Sequence, residues 1–153
     1  MQAPTHLLVG IVIQKIFYSH TNLNPFAAAV ITLALAFLSH FVVDLFSIFT
    51  YHPPKADWHD KFWVTYHMSI YALTIVIFVL FAQFWLGLIG SVLVDIIDWL
   101  LLRAILKKEP VIHPVIKKIQ TFAFGKPKHI YDKWTVIFEG LTIALLWYSI
   151  FLL

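Results

Sequence analysis

The chain has 153 residues, of which 61% are hydrophobic and 12% charged, with a net charge of +3. A soluble domain carries about 45–50% apolar and about 25% charged residues, and the mean hydropathy here is +0.84, so the sequence predicts an all-α, polytopic integral membrane protein in one domain, residues 1–153. There is no Cys, which excludes disulfides and thiolate metal sites. The positive charge is concentrated between apolar segments, so nothing points to nucleic-acid binding.

Five apolar helices are expected in chain order. MQAPTHLLVG has no basic region and no small-residue cleavage site after it, so no cleavable leader is expected. The first helix covers residues 4–18, short for a span, with Gln14 and Lys15 near its far end. SHTNLNP, residues 19–25, is a turn whose Pro suits a helix start. NPFAAAVITLALAFLSHFVVDLFSIFT, residues 24–50, is long enough to cross a bilayer. A polar, aromatic-rich connector follows at 51–63, with a Pro pair ending the helix. Residues 62–107 are too long for one span and divide near 83–87 into helices three and four. The 107–133 connector is basic, and its PVIKKIQTF stretch has the pattern of an amphipathic interfacial helix. The fifth helix is 134–153.

The basic connector carries seven Lys against Glu109 and Asp132, which the positive-inside rule assigns to the cytoplasm. Threading back places the N-terminus and the 51–63 connector on that side and the C-terminus outside. All eight acidic residues and every His except His20 then fall in the inner half.

His40 and Asp44 lie within one of the most apolar stretches, one helical turn apart and on one face. An ionisable group at membrane depth is costly and normally has a partner or a function. Asp95 and Asp98, at i and i+3, form a second such pair in helix four. Close carboxylates in a low dielectric repel unless one is protonated or a cation lies between them. Imidazole and carboxylate together suit Zn, Mn or Fe, so one or two divalent ions are expected, held by His6, His40, Asp44, His67, Asp95 and Asp98. Glu139 and His59 are the candidate proton carriers. Plainer readings stand beside these. Asp95 and Asp98 pair with Arg103 or His67, His59 belongs to a solvated loop, His6 is part of an ordinary helix start, and His113 and His129 are surface residues among the lysines.

PTHLLVG (4–10), LSHFVVDLF (38–46) and LIGSVLVDIIDWLL (88–101) resemble motifs of the small polytopic membrane-bound metal-dependent hydrolases of the LexA-binding, inner-membrane-associated type. That family tends to show an early Thr-His-Leu, a Ser-His-x3-Asp within a helix and a helical Asp-x2-Asp. The resemblance implies metal ligation by His6, His40, Asp44, Asp95 and Asp98, and an inner-membrane location. The Pro that usually precedes the first Asp of the last motif is not present here.

The functional expectation is a hydrolase with a metal site open to the cytoplasmic leaflet, acting on an amphipathic substrate such as a phospholipid or an isoprenoid phosphate. The rival readings are an ion or small-molecule transporter or channel using the intramembrane His and Asp, a His-ligated haem or di-iron redox protein, and a subunit whose buried acids bind a partner helix.

Overall fold

A computed structural model describes residues 2–19, 21–51, 53, 57–126 and 132–153. Among them the chain is all-helical: α1 (Ala3–Ser19), α2 (Pro25–Leu45), α3 (Lys61–Leu80), α4 (Trp85–Asp95), α5 (Ile112–Phe124) and α6 (Val136–Leu152). Four segments are long and apolar enough to cross a membrane: Pro25–Phe49, Lys61–Leu80, Ala82–Ile105 and Lys133–Leu152. The sixth helix is α5, the amphipathic stretch of the basic connector.

Local chemistry sets the helix ends. Asn24 accepts the Ala27 N–H and Pro25 occupies the first turn, a start in which the missing proline donor costs nothing. Asp60 accepts from Phe62 N at the head of α3, and its carboxylate also takes the Lys133 ammonium at 2.9 Å. That hydrogen bond from Lys133 holds the Asp60 carboxyl below its ordinary range. The long apolar run breaks at Phe81–Phe84, where a 3-10 turn (Ala82–Phe84) precedes α4.

Short as it is, α1 forms the centre of the bundle. Its Leu7, Leu8 and Ile11 are fully buried, packed with Ile77, Leu88 and Ile150. At 17 residues it is about 25 Å long at 1.5 Å per residue, and the other helices, not lipid, cover most of it. It runs antiparallel to α4 and touches it backbone to backbone: a Cβ on Gly10 would overlap the Gly87 carbonyl, and one on Gly87 the Gly10 carbonyl. The Gln14 side chain then accepts from the Gly87 N–H at 2.8 Å, satisfying a first-turn donor of α4 that has no partner within its own helix. At the same end of α1, Lys15 donates to the Ile150 carbonyl near the end of α6.

Beyond Asp95 the expected α-helix changes winding, and Ile96–Ile105 is a π-helix. Wide turns of this kind are rare and concentrate at functional sites. Here the π segment carries Asp98 and leads into the connector that returns as α5.

Candidate metal centre

Four helices deliver side chains to one point. His6 comes from the first turns of α1, His40 and Asp44 from the last turns of α2, Asp95 from the end of α4 and His113 from the first turn of α5. Antiparallel packing of α1 against α2 and α4 brings the start of one helix beside the ends of the others. His6 Nε2 is 3.2 Å from Asp44 Oδ1. His40 Nε2 is 3.3 Å from Asp44 Oδ2 and 3.9 Å from Asp95 Oδ1. His113 Nε2 is 3.2 Å from Asp95 Oδ1 and 3.7 Å from Asp44 Oδ2. The His6 and His40 rings are stacked at 4.0 Å, and His113 meets His40 edge-on at 5.6 Å. Two overlapping sets, His6–His40–Asp44 and His40–Asp95–His113, each place three ligand atoms within 4.8 Å of one another, so these buried groups are able to hold a metal ion.

The orientation of His40 is the sharpest chemical clue. Its Nδ1 lies 2.7 Å from the Ser91 carbonyl, and a carbonyl can only accept, so Nδ1 carries the hydrogen. In the neutral ring Nε2 then presents a lone pair toward two carboxylates. That nitrogen is buried and makes no hydrogen bond, and His6 Nδ1 is buried without a hydrogen bond as well. The His40 lone pair, facing carboxylates in an apolar interior, is stable only with a cation between them, either a proton or a metal, whereas His6 meets Asp44 through its other nitrogen, Nε2. Two carboxylates with one divalent ion form a neutral cluster, which suits a low dielectric. The donor set thus fits a nitrogen- and oxygen-liking divalent cation.

Asp98 has a different place from the one its spacing predicts. It is fully buried, and its oxygens accept the backbone N–H groups of Val111, Ile112 and His113 at 3.0, 3.1 and 2.7 Å. The same carboxylate accepts His113 Nδ1–H at 2.8 Å. It therefore caps α5 and orients the His113 ring instead of joining the ligand sets. A carboxylate behind a ligating imidazole fixes its tautomer and raises its basicity. Burial works against the charged form of His113, but its bonds to Asp95 and Asp98 outweigh this and hold the pKa above the ordinary histidine value.

The assignment of His113 to the surface is overturned, because it is half-buried and in contact with three aspartates. The missed signal is its spacing: His113, Ile116 and Gln120 share one face of α5, and Ile116 and Gln120 are buried. Gln120 donates to the Asp44 and Leu45 carbonyls at 2.9 and 3.2 Å and lies 2.9 Å from Ser47 Oγ, securing α5 to the end of α2 beside the centre.

His67 lies outside both ligand sets. Its Nδ1 donates to the Trp63 carbonyl at 2.8 Å, and its ring stacks on Trp63 at 4.1 Å beside Tyr51 and Tyr66. One turn of helix three and a local aromatic pocket satisfy it. Glu139 is fully buried in a separate hub: Oε1 accepts from Gln2 N at 2.6 Å and Thr5 Oγ1 at 3.1 Å, and Oε2 from Tyr66 OH at 2.9 Å. It holds α6 to α1 and α3, one residue from His6. His59 is in the exposed turn after Asp57, its N–H bonded to the Asp57 carboxylate, and joins neither ligand set. No ion pair to Arg103 is formed by Asp95 or Asp98; its guanidinium lies over Trp99 at 5.3 Å, and Trp99 packs on the His113 ring at 5.1 Å. His20, His52 and His129 lie outside the described residues.

Exposure is uneven around the centre. The His6 and His40 side chains are sealed at 2% and 1%, Asp44 is 14% exposed, and His113 and Asp95 reach 21% and 37%. The opening is therefore on the Asp95–His113 side. No protein-family model, curated protein or solved structure matches the chain.

Proposed function

We propose that this chain is a membrane-embedded, metal-dependent hydrolase that acts on an amphipathic substrate, a phospholipid or an isoprenoid phosphate, at the cytoplasmic leaflet. The observation that carries the reading is His40 Nε2, a buried ring nitrogen locked by Ser91 to face Asp44 and Asp95 without a hydrogen bond. One ion is assigned rather than two. His40 belongs to both ligand sets, and with Nδ1 engaged it has one nitrogen to give. The ligands are His6, His40, Asp44, Asp95 and His113, and the donor set suits Zn, Mn or Fe.

A divalent ion held there would supply Lewis acidity to a phosphoryl or acyl oxygen and acidify a water molecule. Asp95, more open than Asp44 or Asp98, would accept a proton from water on the carboxylate oxygen that does not hold the ion. His113, its Nδ1–H held by Asp98, would present Nε2 to the ion at the open edge. Sealing of His6 and His40 keeps bulk water from the inner wall, while apolar chains of a substrate remain in the lipid beside α4. Glu139 acts at one remove, by fixing the first turn of α1 on which His6 is carried.

Elemental analysis of the purified protein tests the reading. About one divalent ion per chain is expected from the single shared nitrogen, lost in His40→Ala, with hydrolysis of phospholipid or polyprenyl phosphate abolished by a chelator and restored by the metal. Full metal content in His40→Ala, or hydrolysis that persists without metal, would overturn it. A neutral cluster made with protons instead of a metal predicts no ion in any preparation.

A further inference from the structure

α5 divides its surface into three faces. Ile116 and Gln120 are buried against the bundle, on the side that carries His113. Val111, Val115, Ile119 and Phe122 follow one another at i+4, i+4 and i+3, and all four are exposed, Phe122 at 93%. Lys117 and Lys118 occupy the third face, where with Pro114 and Thr121 they line a shallow, open cleft of about 340 Å³. An exposed apolar stripe beside paired lysines is the pattern of a helix lying in a lipid headgroup layer. At the end of α5, Phe124 packs on Phe46 and Phe49 at 6.2 and 6.1 Å, and Phe49 on Phe138 of α6 at 5.9 Å, so the helix end rests on the bundle and leaves the stripe uncovered. On the protein side α5 is held mainly at its ends, by the Asp98 cap at the first turn and by Gln120 and Phe124 at the last. His113 is the one proposed ligand carried by a helix of this surface kind.

We propose that α5 docks on an anionic lipid surface, its apolar stripe entering the lipid and Lys117 and Lys118 meeting the phosphates of the headgroups, and that this docking holds His113 in the metal centre. The second half rests on the metal reading above. Charge complementarity selects the partner: Lys117 and Lys118 border the cleft with Pro114 and Thr121, no carboxylate lines it, and anionic leaflets attract basic segments at the membrane surface. The bilayer thus adds to the hold that Asp98 and Gln120 have on the helix that carries His113.

The test uses the full chain in nanodiscs of phosphatidylcholine alone or with phosphatidylglycerol, titrated with Mn²⁺ and read by the EPR signal of the free ion. In anionic discs the wild type is expected to bind about tenfold more tightly than the Lys117→Gln/Lys118→Gln double variant, from the loss of two surface lysines. Accumulation of the cation at the anionic surface is common to both and cancels. In phosphatidylcholine the two are expected to agree, and hydrogen exchange of the α5 amides should slow on adding phosphatidylglycerol in the wild type only. Equal affinities in anionic discs, or α5 exchange indifferent to lipid, would overturn the proposal. Inorganic phosphate reproducing the effect in phosphatidylcholine discs would overturn the assignment to lipid. Absence of Mn²⁺ binding everywhere, with lysine-dependent protection of α5 retained, would sink the metal reading while supporting the docking.

Discussion

Both oxygens of Asp98 are occupied within the protein: they accept three backbone N–H groups at the start of α5 and the His113 ring. Replacing it with Asn keeps the shape but removes one of the two accepting oxygens together with the charge that orients and strengthens His113. Asp98→Asn is therefore expected to weaken metal affinity by about 10–100-fold, the usual effect of losing such a supporting carboxylate, while about one ion still binds at saturation. An unchanged affinity would show that His113 is not a ligand. Glu139 makes a contrasting case, because its three partners serve packing. Glu139→Leu strands Gln2 N, Thr5 Oγ1 and Tyr66 OH in the interior, and a loss of about 1–3 kcal/mol for each buried group left unpaired is expected, read as a lower unfolding midpoint in detergent. What was legible at this scale follows the same logic. His40 and Asp44 stand out because a polar pair at membrane depth needs a reason. His67 carries the same signal and answers it locally through Trp63, and sequence spacing cannot separate a ring that stacks on its own helix from one that reaches across to another.

At the scale of helices, the centre exists because α1 and α4 approach with no side chain between them at Gly10 and Gly87. The contact is backbone on backbone, so an added side chain cannot be absorbed by a rotamer change and the helices must part. Gly10→Val is expected to destabilise the fold by about 1–3 kcal/mol or more, as overpacking does. Because α1 carries His6 and α4 carries Asp95, the same change should weaken metal binding although it touches no ligand. Normal metal affinity in folded Gly10→Val would show that the centre does not depend on this contact. Hydropathy alone located the four spanning segments and placed a break at 83–87, next to the observed one at Phe81–Phe84, since a long apolar run must divide to fit a bilayer. It missed the π winding of Ile96–Ile105, on which Asp98 meets the start of α5. It also underrated α1, whose short apolar run reads as a poor span but serves as the buried axis of the bundle.

For the molecule as a whole, the centre, the described part of the basic connector and the start of α1 lie at one end, whereas Asn24, the Phe81–Phe84 turn and Leu152 lie at the other. This follows from the alternation of helix direction: His6 at the beginning of α1 meets Asp44 at the end of α2, and Glu139 at the beginning of α6 meets Thr5, while Lys15 meets Ile150 at the far ends. Orientation in the bilayer is a separate matter, and the lysines of the connector argue for the cytoplasmic side. The chain has no Cys, so single cysteines report their side without background. Lys108→Cys should resist a membrane-impermeant maleimide in intact cells and react only after permeabilisation, and Asn22→Cys, in the exposed turn before α2, should react from outside at once. The reverse pattern would turn the metal centre toward the outer leaflet, and the substrate would then have to be sought among lipids of that face.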